Sequence, residues 1–263
     1  MGAARSGTQG DPVNIKVLAP AKLTLELRVT GTRPDGYHLI DAEMVSLDLC
    51  DEIEISQGDG LEIVEAGSGL AVESDGTNLV SRALRMVGRK AHVKVTKAIP
   101  AGAGLGGGSS DAAAILAWAD MTDEVAASSL GADVAFCLVG GRARVGGIGE
   151  VVSPLPFRRQ VFTLLTPPIG VSTPVVYRKW DQMGEPRGLN GNDLEPAALA
   201  AFPELAHWRD ALAEVCGVQP RLAGSGGTWY VEGSHEVVHR GVRSVVASTV
   251  RAGYGREKAG QTP

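Results

Sequence analysis

The sequence predicts a mixed helix-and-strand protein built in two halves that divide near residue 155. Its 263 residues fall between one large domain and two ordinary ones, enough to bury most of the apolar surface. Segments alternating with the strand period and segments spaced for one helical face interleave on both sides of the division. A glycine-rich run, "VGGRARVGGIGE", closes the first half, and "FTLLTPP" opens the second as a fresh strand.

Composition narrows the partner. Hydrophobic residues at 44% and charged residues at 21% are globular averages. No run approaches the roughly 18 apolar residues that a membrane span needs. The net charge of −5, without a Lys/Arg cluster, argues against nucleic acid and leaves a small molecule. Cys50, Cys137 and Cys216 are widely spaced and form no C-x-x-C pair, so a cytoplasmic setting is expected. The leading "MGAARSGTQGDP" reads as a loose polar tail, too short of apolar residues for a secretory signal. Gly7 stands where a myristoylation signal wants Ser or Thr.

Along the chain, "VNIKVLAPAKLTLELRVTG" reads as strand interrupted near Pro20, "RPDGYH" (Arg33 to His38) as a turn, and "DEIEIS" as strand again. "TNLVSRALRMVG" has helical spacing at Leu79, Ala83, Met86 and Val87, with Thr77 or Asn78 as cap. "AHVKVTKAI" is a strand through Val93, Val95 and Ile99 that runs into "PAGAGLGGGSSDAA"; the Ser-Ser-Asp there suits a helix start. In the second half "PELAHWRDALAEVCG" is an amphipathic helix and "GTWYVEG" a strand. "SHEVVHRGVRSVVAS" reads as a helix capped by Ser234, with Val238, Val242 and Val245 on one face.

The glycine loop matches G-x-G-x-x-G at Gly102, Gly104 and Gly107, a weak signal alone. A dinucleotide fingerprint belongs to the first strand-helix turn of its fold, whereas about 90 residues precede this one. No Gly-Lys-Ser/Thr occurs, so it is not a Walker loop. A phosphate would have to be held by backbone N–H groups, which glycines leave open to close approach and a following helix N-terminus supports. Asp133 in "LGADVAF" is a carboxylate among apolar neighbours: a chemical group, a helix cap or a paired buried acid. Lys22 in "PAKLTL" either does chemistry or covers core with its stem. "HEVVH" (His235 to His239) matches the zinc-protease pattern, but no histidine follows to complete a site and only Glu257 remains. A solvated helix face is the expectation there.

"PAGAGLGGGSSDAA" resembles the ATP-binding motif of the GHMP kinases, and "LAGSGGTWYV" (Leu222 to Val231) resembles that family's C-terminal glycine motif. The two occur in the family's order. The similarity extends through "AKLTLELRVTGTRPDGYH", "LGADVAFCLVGGRARVGGIGE" and "NDLE", from about Val17 to Val231. It implies an α+β fold of two domains, an N-terminal ATP-binding one over residues 1–155 and a C-terminal one over 156–263, with the active site in the cleft between them. It implies transfer of the γ-phosphoryl group of ATP, with Mg²⁺, to an alcohol, and narrows to a branch whose substrate bears a cytidine diphosphate group.

By that resemblance Lys22 and Asp133 are catalytic. The nucleotide lies on Pro100, Ala101, Gly102, Ala103, Gly104, Leu105, Gly106, Gly107, Gly108, Ser109, Ser110, Gly224, Ser225 and Gly226. Thr24, Tyr37, His38, Thr173 and Tyr177 bind the substrate, the cytosine stacking between Tyr37 and Tyr177. The Mg²⁺ ligands stay unassigned, with Ser109 or Ser110 nearby. Thr24 stands where the branch usually has Asn, Tyr177 where Phe is common, and only 22 positions separate Asp111 from Asp133, so a helix in that interval is expected to be shortened or lost. A relative acting on a homoserine- or mevalonate-type alcohol, or one that binds nucleotide without turnover, are the alternatives. The oligomeric state is not legible.

Overall fold

The computed structural model describes residues 14–65 and 75–255; the leading tail and Glu257 lie outside the described residues. In chain order the first elements are β1 (Ile15–Thr32), β2 (His38–Ser56), β3 (Gly60–Glu65), α1 (Leu79–Met86), β4 (His92–Lys97) and α2 (Gly107–Trp118). There follow α3 (Glu124–Ser128), α4 (Val134–Val139), β5 (Arg142–Gly147), β6 (Val151–Pro154), β7 (Val161–Leu165), α5 (Thr173–Gln182), α6 (Glu195–Ala201) and α7 (Leu205–Cys216). The last are β8 (Arg221–Leu222), β9 (Trp229–Glu232), β10 (Val238–His239), β11 (Val242–Arg243) and β12 (Val245–Ser248).

β1 and β2 form one long antiparallel pair around the expected turn, which Gly36 closes with φ of 86° and an N–H donated to Arg33 O. On its other edge β2 pairs with β5 through its first half and with β4 through its second, while β3 lies parallel to β4. Pro20 does not end β1. The strand continues through it with a register shift between Pro20 and Lys22, a bulge that absorbs the missing N–H. α1 and α2 cover one face, where Val93, Val95, Ile53 and Ile55 meet Ala112, Ala113, Ile115 and Leu116. Of the two caps considered for α1, Asn78 serves, its Oδ1 accepting from Val80 N at 2.9 Å.

The second sheet runs β12-β7-β9-β8 and packs with α5, α6 and α7 around Trp180, Trp208 and Trp229. The two sheets bury a common cluster in which Leu23, Val45, Leu47 and Leu105 meet Phe162, Leu164 and Tyr230. At about 25 cal/mol per Å² of apolar surface, each such side chain contributes about 2 kcal/mol, so this junction is a strong seam.

Two local expectations are corrected. The segment from Ser234 to Ser248 is not a helix: Val245 to Ser248 pair antiparallel with β7, and Arg240 and Gly241, with φ of 48° and 81°, turn β10 back onto β11. The β-branched valines that share one helical face are better accommodated on a pleat than on a helix. The second correction concerns α2, which begins at Gly107, ahead of Ser-Ser-Asp. Its N-cap is Gly106 in the left-handed conformation, with no side-chain cap. α5 and α6 were not anticipated. In the interval before Asp133 only the five-residue α3 separates α2 from the turn into α4.

Candidate active site

Lys22 emerges on β1 just past the Pro20 bulge, and its N–H donates to Leu105 O at 2.9 Å, fastening the strand to the glycine loop. Its side chain is 6% exposed, so the ammonium needs partners: Nζ lies 3.2 Å from Asp133 Oδ2 and donates to Thr24 Oγ1 at 3.3 Å. Asp133 occupies the N-cap position of α4 without capping it, leaving its carboxylate for Lys22 and for the cleft, where it is 33% exposed. The helix-cap reading therefore fails, and the lysine does more than cover core.

The two glycine motifs interlock beside this pair. Gly104 has φ of 76°, and a Cβ there would stand 2.5 Å from Gly226 O and 2.7 Å from Ala223 O. A Cβ on Gly227 would meet Ala103 Cα at 2.8 Å, and Thr228 N donates to Ala103 O. Gly106 and Gly224 face Lys22 directly; their added Cβ atoms would lie 2.7 Å from its Cγ and 3.6 Å from its Nζ.

On the far side of the loop a cavity of about 490 Å³ is lined by Gly102 to Gly104, Gly106 to Ser109, Pro100 and Ala101. Thr77, Asn78, Leu79, Lys97 and Asp111 complete its wall, and sequence reading missed them. Only the helix-start signal at Thr77-Asn78 hinted at that position. Ser110 behaves differently from Ser109: it is buried, and its hydroxyl donates to Pro20 O at 2.6 Å, a structural tie.

Below the loop Lys97 sits between two buried carboxylates, bonded to Asp51 and, at 2.7 Å, to Asp111. Burial works against its charge, but Asp111 and Asp51 outweigh that and raise its pKa. Burial pushes the Asp111 carboxyl up to about 7, and its Oδ1 has no hydrogen-bond partner. With its proton held more tightly in the folded state than in the unfolded chain, the stability that Asp111 contributes is present below pH about 4 and lost as the pH rises through 7. Asp111→Asn should therefore gain on wild type in Tm as the pH rises from about 4 to about 7. A Tm difference independent of pH across that window would refute the assignment.

The aromatic residues gather around α5. His38 stacks on Tyr177 at 4.6 Å between centroids, meets the edge of Trp180, and bonds Asp181 Oδ1 at 2.8 Å. Burial, and then the charge of Asp133, raise the Tyr177 pKa. His38, and not Tyr37, lies against Tyr177; Tyr37 stands 61% exposed at the turn. Thr173, the first residue of α5, hydrogen-bonds Ser225 Oγ at 2.7 Å, joining that helix to the C-terminal glycine motif.

"NDLE" acts as a clip. Asn192 Nδ2 donates to Leu222 O and Gly224 O, while the fully buried Asp193 carboxylate takes Arg28, Arg187 and the N–H groups of Val29 and Gly188. Burial opposes its charge, yet those donors together hold its pKa below the ordinary carboxylate value. The "HEVVH" histidines serve no common site: His239 packs edge-on against Trp208 at 4.9 Å while His235 lies over Gly233. Among the described residues no three His, Cys, Asp or Glu side chains gather as metal ligands.

An α+β fold with two interlocked glycine motifs beside a buried lysine and a carboxylate defines a GHMP kinase, and the family described as GHMP kinases N terminal domain matches residues 78–141. Similar proteins carry the assignment further. The chain is 39% identical over 241 residues to a 4-diphosphocytidyl-2-C-methyl-D-erythritol kinase of Paracoccus denitrificans, covering 83% of this chain and 87% of that one. It is 37% identical to one of Ruegeria pomeroyi, covering 82% and 88%. The chain belongs to the 4-diphosphocytidyl-2-C-methyl-D-erythritol kinase family. A crystal structure of 4-(cytidine 5'-diphospho)-2C-methyl-D-erythritol kinase superposes with a TM-score of 0.68 at 29% identity, covering 89% of this chain and 98% of that one. A homoserine kinase from Cytophaga hutchinsonii, at 18% identity and a TM-score of 0.55, shares the fold.

Proposed function

We propose that this enzyme transfers the γ-phosphoryl group of ATP to the 2-hydroxyl of 4-diphosphocytidyl-2-C-methyl-D-erythritol, in non-mevalonate isoprenoid biosynthesis. The observation that carries the reading is the Lys22–Asp133 pair at 3.2 Å, set where the two glycine motifs interlock. The glycine-loop cavity takes the nucleotide, its phosphates on the N–H groups at the start of α2. Asp133 orients the acceptor hydroxyl and receives its proton, while the Lys22 ammonium offsets charge on the transferring group. Holding the two reactants in line supplies most of the remaining acceleration.

Ser109 lines the cavity, and its Oγ lies 3.9 Å from where a Cβ on Gly131 would be, two residues before Asp133. A hydroxyl is a hard oxygen donor that fits a Mg²⁺ ion carried mainly by nucleotide phosphates, so Ser109 would hold it. Bound there, Mg²⁺ neutralises phosphate charge. Ser110, tied to Pro20, is not one of its ligands in this reading.

The substrate's cytidine end belongs with His38 and Tyr177, and Tyr37 is free to fold over a bound base. Tyr177→Ala should raise KM for the cytidylylated alcohol by about tenfold or more, since stacking a base on an aromatic ring contributes about 1–3 kcal/mol, with KM for ATP little changed. Equal effects on both KM values would count against this placement. Cys50 and Cys216, free thiols, suit the reducing cytoplasm in which we place the enzyme.

The test of the whole reading is ADP release with each candidate alcohol. Turnover with the cytidylylated methylerythritol and none with homoserine or mevalonate supports it. Turnover only with another alcohol, or with none, overturns it.

A further inference from the structure

A second cavity, of about 610 Å³, is lined by residues of β1, β2 and β5 and of the loops around Arg158, Asn190 and Arg221. Four arginines line it, Arg28, Arg142, Arg158 and Arg221, against two acids, Glu26 and Glu43. Both acids are already engaged. Glu43 holds Arg142 at 2.8 Å, and Glu26 holds Arg144 at 2.9 Å with Arg28 3.6 Å away. Arg28 also has the buried Asp193 at 2.8 Å. Arg158 forms no ion pair among the described residues, and Arg221 has only the more distant charge of Glu195 for company. Among the described residues the cavity wall therefore carries four guanidiniums against two carboxylates, both of which are engaged, in a chain whose net charge is −5. Guanidinium groups converging on a hollow of ligand size match the paired oxygens of phosphate groups.

Three segments connect this hollow to the reaction centre. Glu26 lies two residues beyond Thr24 on β1, across a register shift. Arg221 begins β8, three residues before Gly224. Gly191 O accepts from Leu27 N, and the next residue is Asn192, whose amide clasps Leu222 O and Gly224 O. We propose that this cavity is a second anion site, taking a compact polyanion of the diphosphate class, and that its occupancy is felt at Lys22, Thr24 and Gly224 through these segments.

The probe is inorganic pyrophosphate, titrated calorimetrically into the full chain at saturating ADP, so that the glycine loop is filled. One pyrophosphate per chain is expected, with affinity falling about tenfold or more in Arg158→Glu and in Arg221→Gln. Arg158 is exposed and outside the catalytic machinery, so Arg158→Glu should fold and turn over as wild type does without pyrophosphate. Occupancy should shift kcat or KM in wild type and not in that variant. Pyrophosphate binding that ADP abolishes, or that both substitutions leave unchanged, overturns the site. Binding that moves neither kcat nor KM overturns the coupling. The calorimetric result has the same meaning whichever alcohol the kinase accepts, so its failure is distinguishable from failure of the substrate assignment.

Discussion

Asp133→Asn is expected to lower kcat by about a thousandfold or more while nucleotide affinity stays within about threefold, as for removal of a positioned base with the cradle left intact. The substitution keeps the size of the side chain and costs no helix cap, because Asp133 makes none. It removes the charge facing Lys22 Nζ at 3.2 Å, and Lys22 retains only the Thr24 hydroxyl, so a small fall in Tm accompanies the kinetic loss. If the two residues act as a unit, Lys22→Met with Asp133→Asn is no slower than the worse single variant. The checks are single-turnover rates and ADP titration. An Asp133→Asn rate within tenfold of wild type removes this residue from the chemistry.

The second large effect is structural. Gly104→Ala places a Cβ against two backbone carbonyl oxygens that cannot swing aside, at a φ of 76°. Backbone strain and displacement of the partner loop together cost roughly 3 kcal/mol or more. A Tm lower by about 6–12 °C follows for a chain of this size, and nucleotide affinity falls with it. Gly88→Ala is the control: its φ is 63° but nothing lies within 4 Å of the added atom, so it pays only the conformational term, about 1 kcal/mol. Equal Tm losses in the two variants would show that the interlock contributes nothing. Differential scanning calorimetry with and without ADP reads both quantities.

What could be read from the chain alone was what local chemistry encodes. Asn78 announces α1 because a cap needs only its own first turn, and Val93 and Val95 announce β4 because a pleat has period two. The glycine loop stood out because its density of positive-φ residues has few uses. What stayed hidden depended on distant partners. Nothing local marks Lys97, whose place is set by Asp51, 46 residues away, and by Asp111. The role of Asp193 in "NDLE" is fixed only by Arg28, 165 residues away, which takes its carboxylate. The valines of β12 fit a helical face equally well in sequence, and only pairing with β7 decides. Tyr37 and His38 exchange prominence because stacking is settled by where α5 docks.

The bond from Thr228 N to Ala103 O joins residues 125 positions apart, and Lys22 N to Leu105 O joins residues 83 apart, both at the nucleotide loop. Such closures come late, since loop entropy must be overcome before they form. A chain in which these closures have not formed would lack the phosphate cradle, so nucleotide is expected to bind the finished molecule. ATP thus acts as a folding ligand as well as a reactant: at 100 times its Kd it deepens the native state by about 2.7 kcal/mol. A cell's adenylate pool would then help to set how much of this enzyme stays folded.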